Sequence, residues 1–250
     1  MPSNPKERLN RGALSADVER EHLARYQFAC EHVGGKKAID IACGAGYGSL
    51  MLADAGALEI TGLDLSQEAL RVTAELPQRQ NLRFEEADAH RLIQVPDRSV
   101  DVVVSFETIE HLRRPELFVA EVRRVLRPTG CALISTPERR LSSSLHWLLR
   151  RPHNPFHVRE FTQMEFASLL RESFEQVQMM GQVFIPAWRA NAAVQLLVRG
   201  YGRLFNRWGG SRIVRALYDH PDYRVLPPPP GDFTPRFCVA VCRVPRVATA

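Results

Sequence analysis

The chain has 250 residues, of which 45% are hydrophobic, and it carries a formal net charge of +5. That length fits a single α/β domain with insertions, and that apolar content is typical of a globular protein. No apolar run reaches membrane-spanning length and residues 1–7 lack the apolar region of a secretory signal, so neither feature is expected. The five cysteines are odd in number, lack C-x-x-C spacing and fall largely in predicted strands, which predicts reduced thiols in a cytoplasmic protein.

The first predicted elements are an N-terminal arm and a helix. Residues 1–14 are polar and are expected to form the arm. Residues 17–32 are predicted to be helical, because Leu23, Tyr26 and Phe28 give the segment an apolar side.

A strand, a glycine-rich turn and a helix are predicted next, over residues 38–53. An apolar run that contains Asp40 leads into the turn C-G-A-G-Y-G, and a helix-like segment follows. Glycine permits positive φ or the close approach of a ligand to the backbone. Dinucleotide sites use G-x-G-x-x-G, and Gly44 and Gly46 fit that pattern, but the third glycine position holds Ser49. The turn by itself therefore does not identify the cofactor.

Four further strands are predicted in the core: residues 59–64, 82–89, 100–106 and 131–136. The first of them ends in Asp64, whose carboxylate suits a ribose diol, and the second carries Asp88, placed to meet an adenine amino group. One helix is predicted to start with Ser66 as its N-cap, and another at Pro115 with proline in its first turn. The alternation of strands and helices predicts a doubly wound α/β domain.

This ordered series resembles the class I S-adenosylmethionine-dependent methyltransferases over residues 20–185. The motifs that carry the resemblance are D-I-A-C-G-A-G-Y-G, Asp64, Asp88 and the L-R-P-T-G that leads into the fifth strand. The resemblance implies S-adenosyl-L-methionine as the cofactor and a Rossmann-like seven-stranded sheet. That sheet would be mostly parallel with an antiparallel last strand, flanked by helices and carrying helical lid insertions.

The resemblance also implies the cofactor-binding residues, which are Tyr26, Asp40, Ala42, Gly44, Gly46, Asp64, Leu65, Asp88, Ala89, Ser105 and Phe106. In that family the N-terminal helix often covers the cofactor, so Tyr26 or Arg25 would contact it. The alternative is a packing helix with exposed charges.

The whole chain, residues 1–250, is predicted to be one methyltransferase domain. Its parts are an arm and helix at 1–32, a cofactor-binding core at 33–137, and lid or substrate insertions at 138–157 and 187–235. Between and after the insertions, Thr162 and Glu165 form a capping box that predicts a helix start. The sixth and seventh strands are predicted at residues 177–180 and 236–244, the seventh antiparallel.

The insertion at residues 187–235 is rich in arginine. Residues 187–218 contain six arginines and no acidic residue, and Arg199, Arg203 and Arg207 recur every four residues. One interpretation is a cap helix with a solvated basic face. The other is a surface that attracts an anionic partner. That partner is either a small or carrier-linked anionic substrate or the inner face of an anionic membrane, which the protein would contact peripherally.

Candidate catalytic residues follow the fourth strand. Glu107, Glu110 and His111 have i, i+3, i+4 spacing and share one face if the chain is helical there. With the later His157 they are a ligand set for a divalent ion such as Mg, Mn or Zn. The pattern resembles the E-x-x-E-H motif and later histidine that bind metal in small-RNA 3′-terminal 2′-O-methyltransferases, and ubiquinone-pathway O-methyltransferases have a related arrangement.

That likeness implies Glu107, Glu110, His111 and His157 as metal ligands, with His111, Glu110 and His157 as the catalytic residues. Two alternatives stay open: His111 acts as a base without a metal, or the motif only shapes the turn.

The methyl acceptor is suggested by N-P-F-H-V-R-E-F-T at residues 154–162. This segment resembles bacterial methyltransferases associated with sugars and cell-surface polysaccharides, which implies a hydroxyl or amine of a sugar or another carrier-linked metabolite. RNA is disfavoured, because no RNA-binding module is recognised and the later motif of the RNA enzymes is not reproduced. A natural-product or quinone-type molecule is the next alternative. Outside the enzymes, the alternative is a non-catalytic S-adenosylmethionine-binding module.

Overall fold

The computed structural model describes residues 16–142, 154–187 and 222–244, together with Pro152. The fold is built on a seven-stranded sheet in the order β3-β2-β1-β4-β5-β7-β6. The strands are β1 Lys37–Ile41, β2 Glu59–Asp64, β3 Leu82–Glu86, β4 Val100–Ser105, β5 Leu126–Pro137, β6 Gln176–Pro186 and β7 Phe233–Arg243. The pairs among β1 to β5 are parallel, and β7 is antiparallel to both β5 and β6. The predicted sheet is thus confirmed.

Helices cover both faces of this sheet. They are α1 Ala16–Val33, α2 Tyr47–Asp54, α3 Gln67–Thr73, α4 Pro115–Val125, α5 Arg139–Ser142 and α6 Gln163–Arg171. On the central strand β4, Val103 packs in one core cluster with Phe118 of α4 and Phe166 of α6. Val102 and Val104 pack in the other cluster, with α1 and α2. A strand buried on both faces reads as a continuous apolar run, which is why β4 was recognisable in the sequence.

The predicted helix starts are confirmed. Ser66 accepts a hydrogen bond from the Ala69 N–H at the start of α3, and Pro115 occupies the first turn of α4. At α6, Thr162 accepts from the Glu165 N–H while the Glu165 carboxylate accepts from the Thr162 N–H. These caps satisfy N–H groups that a helix terminus would otherwise leave without partners.

The last two strands are longer than predicted. The prediction for the sixth strand stopped at Met180 and that for the seventh began at Arg236, whereas β6 and β7 pair as far as Pro186 opposite Phe233. Pro186 and Pro235 interrupt the apolar pattern, and proline normally counts against a strand. The second insertion therefore ends before Phe233 rather than at residue 235.

Several predicted features fall outside the described residues: the arm at 1–14, residues 143–151 of the first insertion, and the pattern of Arg199, Arg203 and Arg207. Among the residues that the structure describes, no helix has both the length and the apolar character needed to cross a bilayer.

The carboxyl ends of the parallel strands meet along one edge of the sheet. Ile41, Asp64, Ser105 and Pro137 are the last residues of β1, β2, β4 and β5, and the loops that follow them begin at this edge. Ligands of open α/β sheets bind there, so this edge positions the candidate site.

Candidate active site

The turn between β1 and α2 has an unusual backbone. Ala42, Gly44 and Gly46 have φ values of 59°, 57° and 77°, and Gly46 is the N-cap of α2. A left-handed alanine is strained by roughly 1–2 kcal/mol and such strain is found most often at functional sites. A Cβ added to Gly44 would meet no atom within 4 Å. The turn therefore faces open space next to a helix N-terminus, an arrangement that suits a ligand.

Asp40 lies beneath this turn and is fully buried. Its Oδ2 accepts a hydrogen bond from Ser49 Oγ at 2.7 Å, and the Tyr26 hydroxyl lies 3.2 Å from each carboxylate oxygen. Burial raises the pKa of Asp40 to about 7, although these hydrogen bonds favour the ionised form. Asp40 therefore holds α1 and α2 against β1.

Tyr26 and Phe106 form an aromatic wall beside the turn. Their ring centroids are 5.2 Å apart in an edge-to-face arrangement. A methyl group added at Gly48 would overlap the Tyr26 ring, so this glycine lets α1 approach α2 closely. The adjacent Ser105 is buried and donates from Oγ to the Ile41 carbonyl at 3.2 Å, which ties the ends of β4 and β1 together.

Asp64 at the end of β2 is held by the backbone around it. Its Oδ2 accepts from the Gly44 N–H and its Oδ1 from the Ser66 N–H, both at 2.8 Å. Leu65, which follows, is 57% exposed at the edge. Because each carboxylate oxygen can accept more than one hydrogen bond, Asp64 can still bind both hydroxyls of a ribose.

Asp88 lies in the loop after β3, since that strand ends at Glu86 rather than continuing to residue 89 as predicted. Its Oδ1 accepts from the backbone N–H of His90 at 2.8 Å and lies 2.9 Å from His90 Nδ1. Burial acts to raise the pKa of Asp88, but the hydrogen bonds and charge of His90 outweigh it and the pKa is lowered. The neighbouring Ala89 packs partly against the core. Asp88 is therefore an ionised acceptor at the site's rim.

Glu110, His111 and His157 come together further along the same edge. One possible ligand atom from each residue lies within 4.8 Å of those of the other two. The loop that carries His157 is docked by the Glu110 carbonyl, which accepts from the Val158 and Arg159 N–H groups at 2.8 and 3.0 Å. Backbone contacts thus join residues that are distant in the sequence.

Both imidazoles have an oriented ring nitrogen. His111 Nδ1 lies 3.1 Å from the Phe156 carbonyl, and His157 Nδ1 lies 2.8 Å from Oε1 of the buried Glu160. A carbonyl or an ionised carboxylate can only accept, so Nδ1 carries the proton in each neutral ring. The lone pair is then on Nε2, the form that accepts a proton or binds a cation. The two rings meet edge to face with centroids 4.9 Å apart.

Glu110 is the buried carboxylate of the cluster. Thr136 Oγ1 donates to its Oε2 at 3.1 Å, whereas its Oε1 is buried without a hydrogen-bond partner in the described structure. Burial, and next the charge of Glu107, raises the pKa of Glu110 well above its ordinary value. A buried acceptor atom without a partner is uncommon and points to an atom or ion that binds there.

The prediction that Glu107 shares a helical face with Glu110 and His111 is wrong. It has a φ of 53°, and the short 3-10 helix Ile109–His111 begins only after it. Ser135 Oγ donates to its carboxylate at 2.7 Å. Among the described residues, the cluster of candidate metal ligands omits Glu107. A 3-10 turn does not keep the i, i+3, i+4 spacing of an α-helix, so the predicted face of Glu107, Glu110 and His111 is not formed.

Sequence reasoning missed the groups that orient this cluster: Ser135, Thr136, Glu160 and the Phe156 carbonyl. The first two are the polar end of the buried strand β5, next to the end of β4. That adjacency was an available signal. Glu160 is three residues after His157. Its contact with the His157 ring depends on the loop conformation, so nothing in the sequence indicated it.

The residues present fit both the adenosine-containing cofactor and the divalent cation that the sequence implies. The open space at Gly44 and the carboxylates of Asp64 and Asp88 suit an adenosine-containing cofactor. A carboxylate oxygen without a partner and two imidazoles suit a divalent cation of the Mn or Zn type.

Comparison with known proteins supports S-adenosylmethionine as the cofactor. Residues 39–134 match the family described as methyltransferase domain. The chain is 35% identical to a probable S-adenosylmethionine-dependent methyltransferase of Mycolicibacterium smegmatis, over 81% of this chain and 73% of that protein. It is 34% identical to a ubiquinone biosynthesis O-methyltransferase of Cupriavidus pinatubonensis, over 62% of this chain and 66% of that protein.

A solved structure of an S-adenosylmethionine-dependent methyltransferase from Thermotoga maritima has a TM-score of 0.60 and 16% identity, with 91% of this chain and 92% of that chain covered. At that identity the match supports the fold alone. The relative from Mycolicibacterium smegmatis is 35% identical over most of both chains, so it supports membership of the family as well as the fold. The chain belongs to the class I S-adenosylmethionine-dependent methyltransferases, enzymes that use S-adenosylmethionine as the methyl donor.

Proposed function

We propose that this enzyme methylates a hydroxyl group, and that Glu110, His111 and His157 bind and activate that hydroxyl. The observation that carries the proposal is the convergence of these three side chains within 4.8 Å at the carboxyl edge of the sheet. S-adenosylmethionine supplies a methyl group already activated by a positively charged sulfur. The enzyme must chiefly position the acceptor oxygen and promote loss of its proton.

The orientation of the two imidazoles supports this role. Phe156 and Glu160 hold Nδ1 of His111 and His157, so Nε2 of each neutral ring is the basic nitrogen. The Glu110 Oε1 atom needs a donor or a cation, because it is buried without a partner in the described residues. A hydroxyl or an ion at this point would supply what Glu110 lacks.

A divalent cation is our first hypothesis for what the cluster binds. Glu110, His111 and His157 would hold it, and Glu160 would orient His157 as carboxylates commonly do for ligating histidines. When bound, such an ion lowers the pKa of a nearby hydroxyl. The competing hypothesis is that His111 or His157 acts as the base without an ion.

For the acceptor, we propose a sugar hydroxyl or a phenolic, quinone-type hydroxyl of a small or carrier-linked metabolite. The similarity to ubiquinone biosynthesis O-methyltransferases favours the phenolic member of this pair. Methylation of RNA ends remains the less favoured alternative, because Glu107 lies outside the cluster and the resemblance to the RNA enzymes includes that residue.

The test is methyl transfer to catechol and to a sugar phosphate, each measured before and after exhaustive chelation and after addition of Mg²⁺, Mn²⁺ or Zn²⁺. Glu110→Gln, His111→Ala and His157→Ala are compared with His32→Ala, a histidine of α1 bound to the Phe28 carbonyl outside the cluster. Activity lost on chelation and restored by one ion supports the cation.

Full activity after chelation, with loss of activity in His111→Ala or His157→Ala and retained cofactor binding, supports the base instead. Parent-like turnover in all three cluster variants contradicts the proposed role of this site.

A further inference from the structure

Two charged residues of α4, Glu121 and Arg124, form an ion pair beside the loop that follows β3. Arg124 donates to both carboxylate oxygens of Glu121, from Nε to Oε1 and from Nη2 to Oε2, each at 2.8 Å. These hydrogen bonds are the largest of the effects that lower the pKa of Glu121, so its carboxylate is ionised. The Arg124 side chain is 29% exposed and that of Glu121 19%, so solvent screens this bidentate pair only in part.

The ion pair holds the backbone of Leu92, in that loop, from both sides. Glu121 Oε2 accepts from the Leu92 N–H at 2.8 Å, and Arg124 Nη2 donates to the Leu92 carbonyl at 2.9 Å. Arg124 Nη1 also donates to the Val95 carbonyl at 3.0 Å and to the Asp97 carboxylate at 2.6 Å. A single guanidinium therefore ties the loop to α4 over residues 92–97.

The same loop begins with Asp88, and its backbone links Asp88 to Leu92. Leu92 is fully buried in the core, and the Arg91 N–H beside it donates to the Asp88 carbonyl at 2.9 Å. The Asp88 side chain is 51% exposed, and His90, which contacts its Oδ1, belongs to the loop as well. The placement of this carboxylate therefore depends on how firmly the loop backbone is held.

The position of Asp88 in the sheet indicates which part of the cofactor it meets. Strands β1, β2 and β3 are neighbours, and the glycine turn, Asp64 and Asp88 follow them in that order. This order matches a nucleoside whose ribose binds at Asp64 and whose base lies next to Asp88. An ionised carboxylate only accepts hydrogen bonds, and the amino group is the donor that adenine presents on its edge.

We propose that Glu121 and Arg124 are positioning residues for cofactor recognition, which act by fixing the loop that presents Asp88 to the adenine amino group. Without their hydrogen bonds, the backbone at Leu92 loses its attachment to α4 and the Asp88 carboxylate is no longer held in one place. It remains an acceptor, but it distinguishes an amino group from other substituents less well. The proposal is independent of the proposed function, because cofactor binding is measured without a methyl acceptor.

The experiment measures discrimination between two ligands by calorimetry. S-adenosylhomocysteine is compared with S-inosylhomocysteine, in which an oxygen replaces the adenine amino group. We expect the parent to bind the adenine compound at least about tenfold more tightly, because the analogue loses a hydrogen bond to a charged group. We expect Arg124→Gln to lower this ratio by about threefold or more. A purely structural role would weaken the binding of both ligands equally and leave the ratio unchanged.

Arg127→Gln is the matched control. Arg127 also pairs with a carboxylate, donating to Asp101 at 2.8 Å, but it does so at the amino-terminal end of β4. We expect this variant to keep the parent's ratio. Asp88→Asn should lower the ratio, and adding Arg124→Gln to it should change the ratio no further, because both substitutions act through one contact.

The proposal is overturned by a parent-like ratio in folded Arg124→Gln, or by an equal fall in Arg127→Gln. It is also overturned if Asp88→Asn keeps the parent's ratio, or if the effects of Asp88→Asn and Arg124→Gln on the ratio are additive. Should Arg124→Gln not fold, Glu121→Gln takes its place, since its amide oxygen can still accept from the Leu92 N–H while the ion pair is lost. An unchanged ratio in Glu121→Gln then overturns the proposal.

Discussion

Replacement of Asp64 by alanine tests the cofactor site most directly. The carboxylate accepts the Gly44 and Ser66 N–H groups at 2.8 Å each and has remaining acceptor capacity for a ribose. A hydrogen bond to a charged group contributes about 1.5–3 kcal/mol, and the partial exposure of Asp64 favours the low end. We therefore expect Asp64→Ala to weaken S-adenosylmethionine binding by at least ~1.5 kcal/mol, which is more than tenfold.

Calorimetry with S-adenosylhomocysteine measures this loss, and chemical denaturation shows whether the variant is folded. The second check is needed because Asp64 also holds the turn at Gly44, so unfolding would imitate lost binding. Glu86→Ala is the matched control, because Glu86 pairs opposite Asp64 on β3 and its replacement also removes one negative charge. A folded Asp64→Ala variant within about threefold of the parent's affinity, or an equal loss in Glu86→Ala, would refute the ribose assignment.

Three further predictions concern groups that hold the site. The raised pKa of Asp40, about 7 against an ordinary 3.8, means that its contribution to stability is present at low pH and is lost as pH rises through 7. Between about pH 8 and pH 5 the parent should gain roughly 2.5 kcal/mol of unfolding free energy relative to Asp40→Asn, and parallel pH profiles would contradict this. Gly48→Ala should cost about 1–3 kcal/mol through overlap with Tyr26, and less in a Tyr26→Ala background; additive losses would argue against the contact. Thr162→Ala should lower stability by about 1 kcal/mol through loss of the cap shared with Glu165, and an unchanged denaturation midpoint would exclude that role.

The order of elements and the cofactor edge were predictable from the sequence. The glycine turn directly follows its strand and Asp64 ends the next strand, so their placement depends on backbone conformation and strand polarity. Periodicity likewise located β4, and local caps located α3, α4 and α6. These features are determined by residues a few positions apart, so a single sequence contains the necessary information.

The cluster of Glu110, His111 and His157 depends on contacts that only the tertiary structure decides. His157 reaches Glu110 and His111 because the Glu110 carbonyl accepts two N–H groups of a distant loop. Glu107, although part of the same sequence motif, is turned towards Ser135 by a left-handed backbone. Sequence spacing suggested three ligands on one helical face and a fourth, His157, from a later loop, whereas the cluster in the fold contains Glu110, His111 and His157 without Glu107.

Arg25 illustrates the same division. From the sequence, Tyr26 and Arg25 were equivalent candidates for covering the cofactor. In the fold, Tyr26 meets Asp40, while Arg25 meets Gln182, 157 positions away along the chain. Neighbouring helix positions point about 100° apart. The sequence by itself therefore determined the helix and its two candidates, and only the tertiary contacts of α1 decided which neighbours each side chain meets.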